Sequence, residues 1–156
     1  MTKKDAALVP IRATLGATMI YHGLPKLRGD GPEQTGQMFE QMGIKPGRTM
    51  AKAAGLAEVF GGITALLGIG TRLGALAVIA TQLTAVSKVH GPKGFDNTSG
   101  GYEFNMTLIA IAVAMLLAGP GALSVHEVVE RRIQRRPWLL ARSRPRKALR
   151  AVKLFK

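Results

Sequence analysis

Cysteine is absent from the 156 residues. Its absence excludes a disulfide framework, a Cys-based zinc site, an iron–sulfur cluster and a thiol nucleophile, and leaves the redox compartment open. Aromatic residues make up 5% of the chain, too few for the base-stacking platforms of nucleic-acid binders. Acidic residues are scarce, with 9 Asp+Glu against 22 Lys+Arg and a formal net charge of +13. No G-x-G-x-x-G, G-x-x-x-x-G-K-[ST] or G-x-S-x-G occurs, so the usual marks of dinucleotide sites, P-loops and nucleophile elbows are missing.

The charge that is present is unevenly placed. Residues 124–156 hold eleven Lys/Arg and two Glu, a net +9, whereas the preceding 123 residues carry a net +4. The chain reads as one apolar domain, residues 1–123, followed by a basic tail, residues 124–156. A sequence pI near 11 therefore reports the tail. Nucleic acid is not the expected partner, because neither aromatic interleaving nor a reading motif accompanies the charge.

From Phe104 to Val125 no residue has an ionisable side chain, a run of 22 dense in Leu, Ile, Val, Met and Ala. A bilayer core needs about 20 such residues in a helix. Three further stretches are similar but less pure. The expectation is an all-α bundle of four transmembrane helices, with spans at about 6–27, 48–70, 72–90 and 103–119. The 19 glycines suit helices that pack closely in lipid. Between the first two spans, Asp30-Gly31-Pro32-Glu33 reads as an N-cap with Pro in the first turn. It predicts a short outer-face helix from Pro32 to Met42, stopped by Gly43, with Phe39 and Met42 dipping into the interface. Ser124-Val125-His126-Glu127 reads as a capping box opening a basic amphipathic helix from Val125 to about Arg136. Trp138 follows at interface depth. The excess of basic residues in the tail places both termini in the cytoplasm, consistent with Lys3, Lys4 and Arg72 and with an even number of spans.

With that orientation, ionisable groups on separate helices fall at one depth, towards the outer face. His22 and Lys26 end the first span, and Glu58 lies one to two turns below the outer end of the second. Lys88 and His90 end the third, and Tyr102 and Glu103 open the fourth. The inner half reads as nearly apolar. Charges in lipid usually face the bundle or mark function. Lys26 and Lys88 also read as interface anchors, Glu103 as a helix-dipole residue, and Glu58 as either a functional carboxylate or the partner of Lys26, Lys88 or Arg48. No pair among these groups has helical metal-ligand spacing, and no metal is expected. Gly55, Gly61 and Gly62 flank Glu58 and permit close approach of a neighbouring helix. In the tail, Arg131, Arg132, Arg135, Arg136, Trp138, Arg142, Arg144, Arg146, Lys147 and Arg150 form the candidate surface for anionic lipid or an acidic partner.

His22-Gly23-Leu24-Pro25-Lys26-Leu27 resembles the element that closes the first helix of the DoxX family. Ala57-Glu58-Val59-Phe60-Gly61-Gly62, running on to Gly68-Ile69-Gly70-Thr71-Arg72, is similar to that family's second helix and inner turn. His90-Gly91, Gly94-Phe95, Asn97 and Gly100-Gly101-Tyr102-Glu103-Phe104 resemble its third-loop signature, and Gly119-Pro120-Gly121-Ala122-Leu123-Ser124 its closing motif. Four elements in order cover roughly residues 10–125. The resemblance implies a four-helix, multi-pass protein of the cytoplasmic membrane, some of whose relatives are subunits of quinone-linked oxidoreductases or of complexes that handle oxidants. It implies quinone as the candidate cofactor and a larger membrane complex as partner. Carried over by position, His22, Lys26, Glu58, His90, Tyr102 and Glu103 are the signature polar residues. The basic tail departs from the family core.

Three function classes follow. In the first, the chain is an accessory or quinone-linked subunit of a membrane oxidoreductase, with a partner supplying the electron carrier and with Glu58 and His22 exchanging protons. In the second it is an assembly module that docks partners or anionic lipid through its tail. In the third it is a small-molecule transporter, against which stands the lack of a polar path through the inner half.

Overall fold

The computed structural model describes residues 3–134. Among these the chain is all-helical, without a strand: α1 (Lys3–Gly23), α2 (Gly31–Gln41), α3 (Gly47–Leu67), α4 (Thr71–Ala85), α5 (Glu103–Ala118) and α6 (Val125–Gln134). A π-helical turn, Val86–His90, extends α4, and short 3-10 turns occupy Pro25–Leu27, Gly91–Lys93 and Asn97–Ser99. Two segments, Gly47–Leu67 and Thr71–Lys93, are long and apolar enough to cross a membrane. α5 is more apolar than either but has 16 residues. Two of the four expected spans thus meet that measure. The tail cations Arg135, Arg136, Arg142, Arg144, Arg146, Lys147 and Arg150, together with Trp138, lie outside the described residues.

The bundle buries a narrow core of mixed large and small residues and turns many large apolar side chains outward. Its core holds Leu15, Met19, Ala65, Ala75, Val78, Leu108, Ala112 and Met115. Leu56, Phe60, Ile63, Leu67, Leu73, Leu76, Leu83 and Leu117 are exposed, and Leu117 is 77% exposed. An apolar exterior of this extent is unfavourable in water and ordinary in lipid, where helices associate by close packing instead of by hydrophobic burial.

Glycines set the α1–α3 seam. A Cβ on Gly16 would stand 2.8 Å from the Gly62 carbonyl oxygen, and one on Gly62 would stand 2.7 Å from that of Gly16. Gly23 and Gly55 repeat the relationship at 2.9 and 3.0 Å. The two pairs lie seven residues apart on each helix, about two turns, so they share one face. On a different face of α3, Gly61 packs against Val78 and Gly74 of α4. The α3–α4 reversal rests on Gly68 (φ +66°) and Gly70 (φ +63°), left-handed positions at which a side chain would be strained.

The end of the bundle that holds the α3–α4 turn is not apolar, which corrects the sequence expectation. Arg12, 5% exposed, donates from Nε to the carbonyl of Ala65 and from Nη2 to that of Leu66, both at 2.9 Å. Its Nη1 donates to the carbonyls of Pro120 (2.9 Å) and Leu123 (2.6 Å). A helix leaves its last four carbonyls without partners, and this guanidinium serves two of them on α3 while fixing the loop after α5. Asp5 Oδ1 accepts the N–H of Ala122 at 2.9 Å at the same end.

Two capping expectations also change. The Asp30 side chain makes no cap bond; its carbonyl instead accepts the N–H groups of Glu33 and Gln34, and Glu33 pairs with Arg48 at 2.9 Å. At α6, Ser124 Oγ accepts the Glu127 N–H at 3.2 Å, but the Glu127 carboxylate turns to Arg131 at 2.9 Å, so the box is half closed.

Candidate functional site

At the opposite end from Arg12, a partly open cavity of about 620 Å³ lies among α1, α2, α3, α4 and α5. Its apolar wall comes from Met38 and Phe39 of α2, Ile44 of the loop that follows, Met50, Ala53 and Ala54 of α3, and Leu108 of α5. Its polar wall comes from His22, Lys26, Glu58, Gln82, His90 and Asn105. Small residues on α3 and α4 leave this space, and α2, held to α3 where Gly36 meets Gly47 and by Glu40 accepting the Gly47 N–H, covers it. Phe39 therefore lines the cavity instead of dipping into the interface.

Glu58 is 7% exposed and sits eleven residues into α3, about three turns, deeper than the one to two turns expected, because α3 starts at Gly47. Its Oε2 lies 2.7 Å from Lys26 Nζ, and the same ammonium donates to the His22 carbonyl at 2.6 Å. Lys26 is thus an ion-pair partner and not a free interface anchor. A carboxylate at this depth is tolerable when paired and hydrogen-bonded. His22 is exposed on one side and lies near Phe104, with ring centroids 6.0 Å apart.

Not every expected residue reaches the cavity. Lys88 is exposed and does not line it. Glu103 is exposed, and its Oε2 accepts the Asn97 N–H at 3.3 Å. Tyr102 packs edge-on against Phe95 at 5.5 Å. These two residues organise the loop before α5. Asp96, in that loop, accepts from the Thr98 hydroxyl and the Thr98 N–H at 2.8 Å, and these bonds hold its carboxyl below the usual range.

Two cavity residues escaped the sequence reading. Gln82 and Asn105 are 5% and 6% exposed, and Asn105 Nδ2 donates to Gln82 Oε1 at 2.8 Å. Their signal is periodicity: Gln82 continues the buried Ala75–Val78 stripe, and Asn105 opens the Leu108–Ala112–Met115 stripe. Amides on core stripes of apolar helices are candidates for interhelical hydrogen bonds. No group of three or more His, Cys, Asp or Glu residues able to hold a metal occurs among the described residues.

The family model for DoxX matches residues 7–91, which run from within α1 to the end of the π-helical turn and include five of the six polar cavity residues. The chain belongs to the DoxX family. An uncharacterized membrane protein of Mycobacterium tuberculosis is 26% identical over 137 residues, covering 81% of this chain and 83% of that relative. No solved structure matches. The DoxX match ends at Gly91, so Asn105 and α6 lie beyond it.

Proposed function

We propose that the chain is a four-span protein of the cytoplasmic membrane, with both termini inside, that serves as an accessory or quinone-linked subunit of a membrane oxidoreductase or oxidant-handling complex. One observation carries this reading. The cavity pairs an apolar wall with polar groups contributed by separate helices, within the 300–1,000 Å³ range typical of small-molecule sites. A ring bearing polar substituents and an apolar chain fits such a division. His22, His90 and the Gln82–Asn105 pair would hold the head, and Met38, Phe39 and Ile44 would face the apolar part. A quinone supplies two-electron, two-proton chemistry when bound; the electron source belongs to a partner. The exposed Leu and Phe surface supports lipid around α5 as well as around α3 and α4, and on α1 Val9 and Tyr21 face outward. The Arg12 knot at the inner end offers no support to a transport path.

The experiment is equilibrium binding of a short-chain benzoquinone and its hydroquinone to the purified protein in detergent. Saturable binding of either form, abolished by the cavity-filling Ala54→Trp and retained in the lipid-facing Leu117→Ala, supports the reading. Absence of binding to the wild type overturns it.

A second reading has its own observation. α6 exposes Val125, Val128 and Val129 beside Arg131 and Arg132, an apolar face bordered by cations. Such a helix suits the surface of an anionic leaflet, and the tail beyond it adds charge of the same sign.

A further inference from the structure

Two acceptors at the cavity are left without a donor among the described residues. His90 Nδ1 stands 2.7 Å from the carbonyl oxygen of Gly100. A carbonyl only accepts, so Nδ1 carries the proton and Nε2 of the neutral ring is left as an acceptor. No hydrogen bond engages Nε2 among the described residues. The π-helical turn Val86–His90 is part of this arrangement: its extra residue shifts the phase of the helix, and His90 lines the cavity while Lys88 stays outside. Single-turn π segments within helices concentrate at functional sites.

The buried amide pair points the same way. Gln82 Nε2 lies 3.8 Å from Met19 Sδ, and a thioether cannot donate, so the amino group of Gln82 faces the sulfur. Its carbonyl therefore faces Asn105, whose amino group donates to it at 2.8 Å. This chain of constraints leaves Asn105 Oδ1 as a second acceptor without a bond among the described residues. On the donor side, Lys26 gives two protons, to Glu58 and to the His22 carbonyl, and keeps a third, which a hydroxyl can accept while still donating its own proton and a carbonyl can only accept. The polar wall thus retains two acceptors, from α5 and from the π turn, that need a donor.

We propose that the cavity selects ligands carrying hydroxyl groups, and so takes the dihydroxy form of an aromatic ring in preference to its dicarbonyl form. The proposal rests on the reading of the cavity as the site for such a head. A ring carbonyl only accepts; set against His90 Nε2 and Asn105 Oδ1 it leaves three acceptors unpaired, whereas a hydroxyl satisfies an acceptor that is otherwise desolvated without compensation.

The test compares three probes of one shape on the full-length protein in detergent, without oxygen: a short-chain benzoquinone, its hydroquinone, and the dimethyl ether of that hydroquinone. The expected result is a Kd for the hydroquinone roughly tenfold below those of the quinone and the ether. His90→Phe, which keeps a ring but removes the acceptor, should bring the hydroquinone Kd up towards the quinone value and leave the latter unchanged. Asn105→Leu should do the same in part. Equal binding of all three probes by the wild type overturns the proposed selection while leaving the site itself standing. A preference that survives in both variants also overturns it. Binding of none of the three overturns both the selection and the quinone-linked reading. The wild-type comparison is decisive even where a variant fails to fold.

Discussion

Lys26 Nζ stands 2.7 Å from Glu58 Oε2, and the same ammonium holds the last turn of α1 through the His22 carbonyl at 2.6 Å. One side chain thereby joins two helices and accounts for a carboxylate three turns into an apolar segment. Removing either partner alone strands a charge in a desolvated place. Glu58→Gln or Lys26→Met should each cost about 2–3 kcal/mol, below the full figure for sealed pairs because the Lys26 side chain is 20% exposed. The double variant should recover at least half of that loss. Thermal unfolding of the four proteins in one detergent closes the cycle. A coupling near zero would mean that something other than this pair holds Glu58 in place.

Arg12 makes a sharper demand, because its planar fork serves four carbonyls at once. Lysine keeps the charge but offers one ammonium, which cannot reach the α3 terminus and the 119–124 loop together. Arg12→Lys should lose about 2 kcal/mol or more, with the freed carbonyls of Pro120 and Leu123 making that loop the first point of proteolysis. Wild-type melting and an intact loop in Arg12→Lys would show that the four bonds are not what closes this end.

Much of this architecture is legible in the sequence because it is local. Apolar runs mark α3, α4 and α5, Gly43 stops α2, and two glycines in three residues force the α3–α4 reversal. Helix rise is fixed, so residues near matching ends of antiparallel helices arrive at one depth, and that arithmetic groups His22, Lys26, Glu58 and His90. Rotation about each helix axis is another matter. It decides which cation meets Glu58, and one-dimensional periodicity leaves Lys26, Lys88 and Arg48 open. The π turn adds a residue to one turn of helix, so α-helical extrapolation beyond Ala85 loses phase, and Lys88 and His90 cannot be told apart as cavity residues. Arg12 shows what reading charge by composition overlooks. It occupies the same stripe as Leu8, Leu15 and Met19, and so points into the bundle.

The loop before α5 carries its own titration. Thr98 holds the Asp96 carboxyl below the usual range, first through its hydroxyl and then through its N–H. A carboxyl depressed in the folded state contributes stability above its unfolded value and loses it as pH falls through the folded one. Side-chain NMR should therefore place the Asp96 midpoint below that of a free aspartate, and Thr98→Ala should raise it. An unmoved midpoint in Thr98→Ala would assign the depression to another cause.

α6 joins the bundle through one buried residue and one backbone bond, and both leave its other face open. His126 is 3% exposed, and its N–H donates to the Gly68 carbonyl at 3.4 Å. Val125, Val128 and Val129 turn outward beside Arg131 and Arg132. If an anionic leaflet covers that face, each arginine near it is worth about 1 kcal/mol, a contribution that salt screens. Nanodiscs containing phosphatidylglycerol should then raise the melting temperature above that in phosphatidylcholine alone, with the difference shrinking in high salt. Arg131→Gln with Arg132→Gln should remove part of the lipid dependence, and Val128→Asp should weaken it by opposing insertion of the apolar face. The two arginines act through charge and Val128 through burial, so high salt should mimic the first change and not the second. Equal melting in both lipids would sink the lipid reading and leave an acidic protein partner as the occupant of that face.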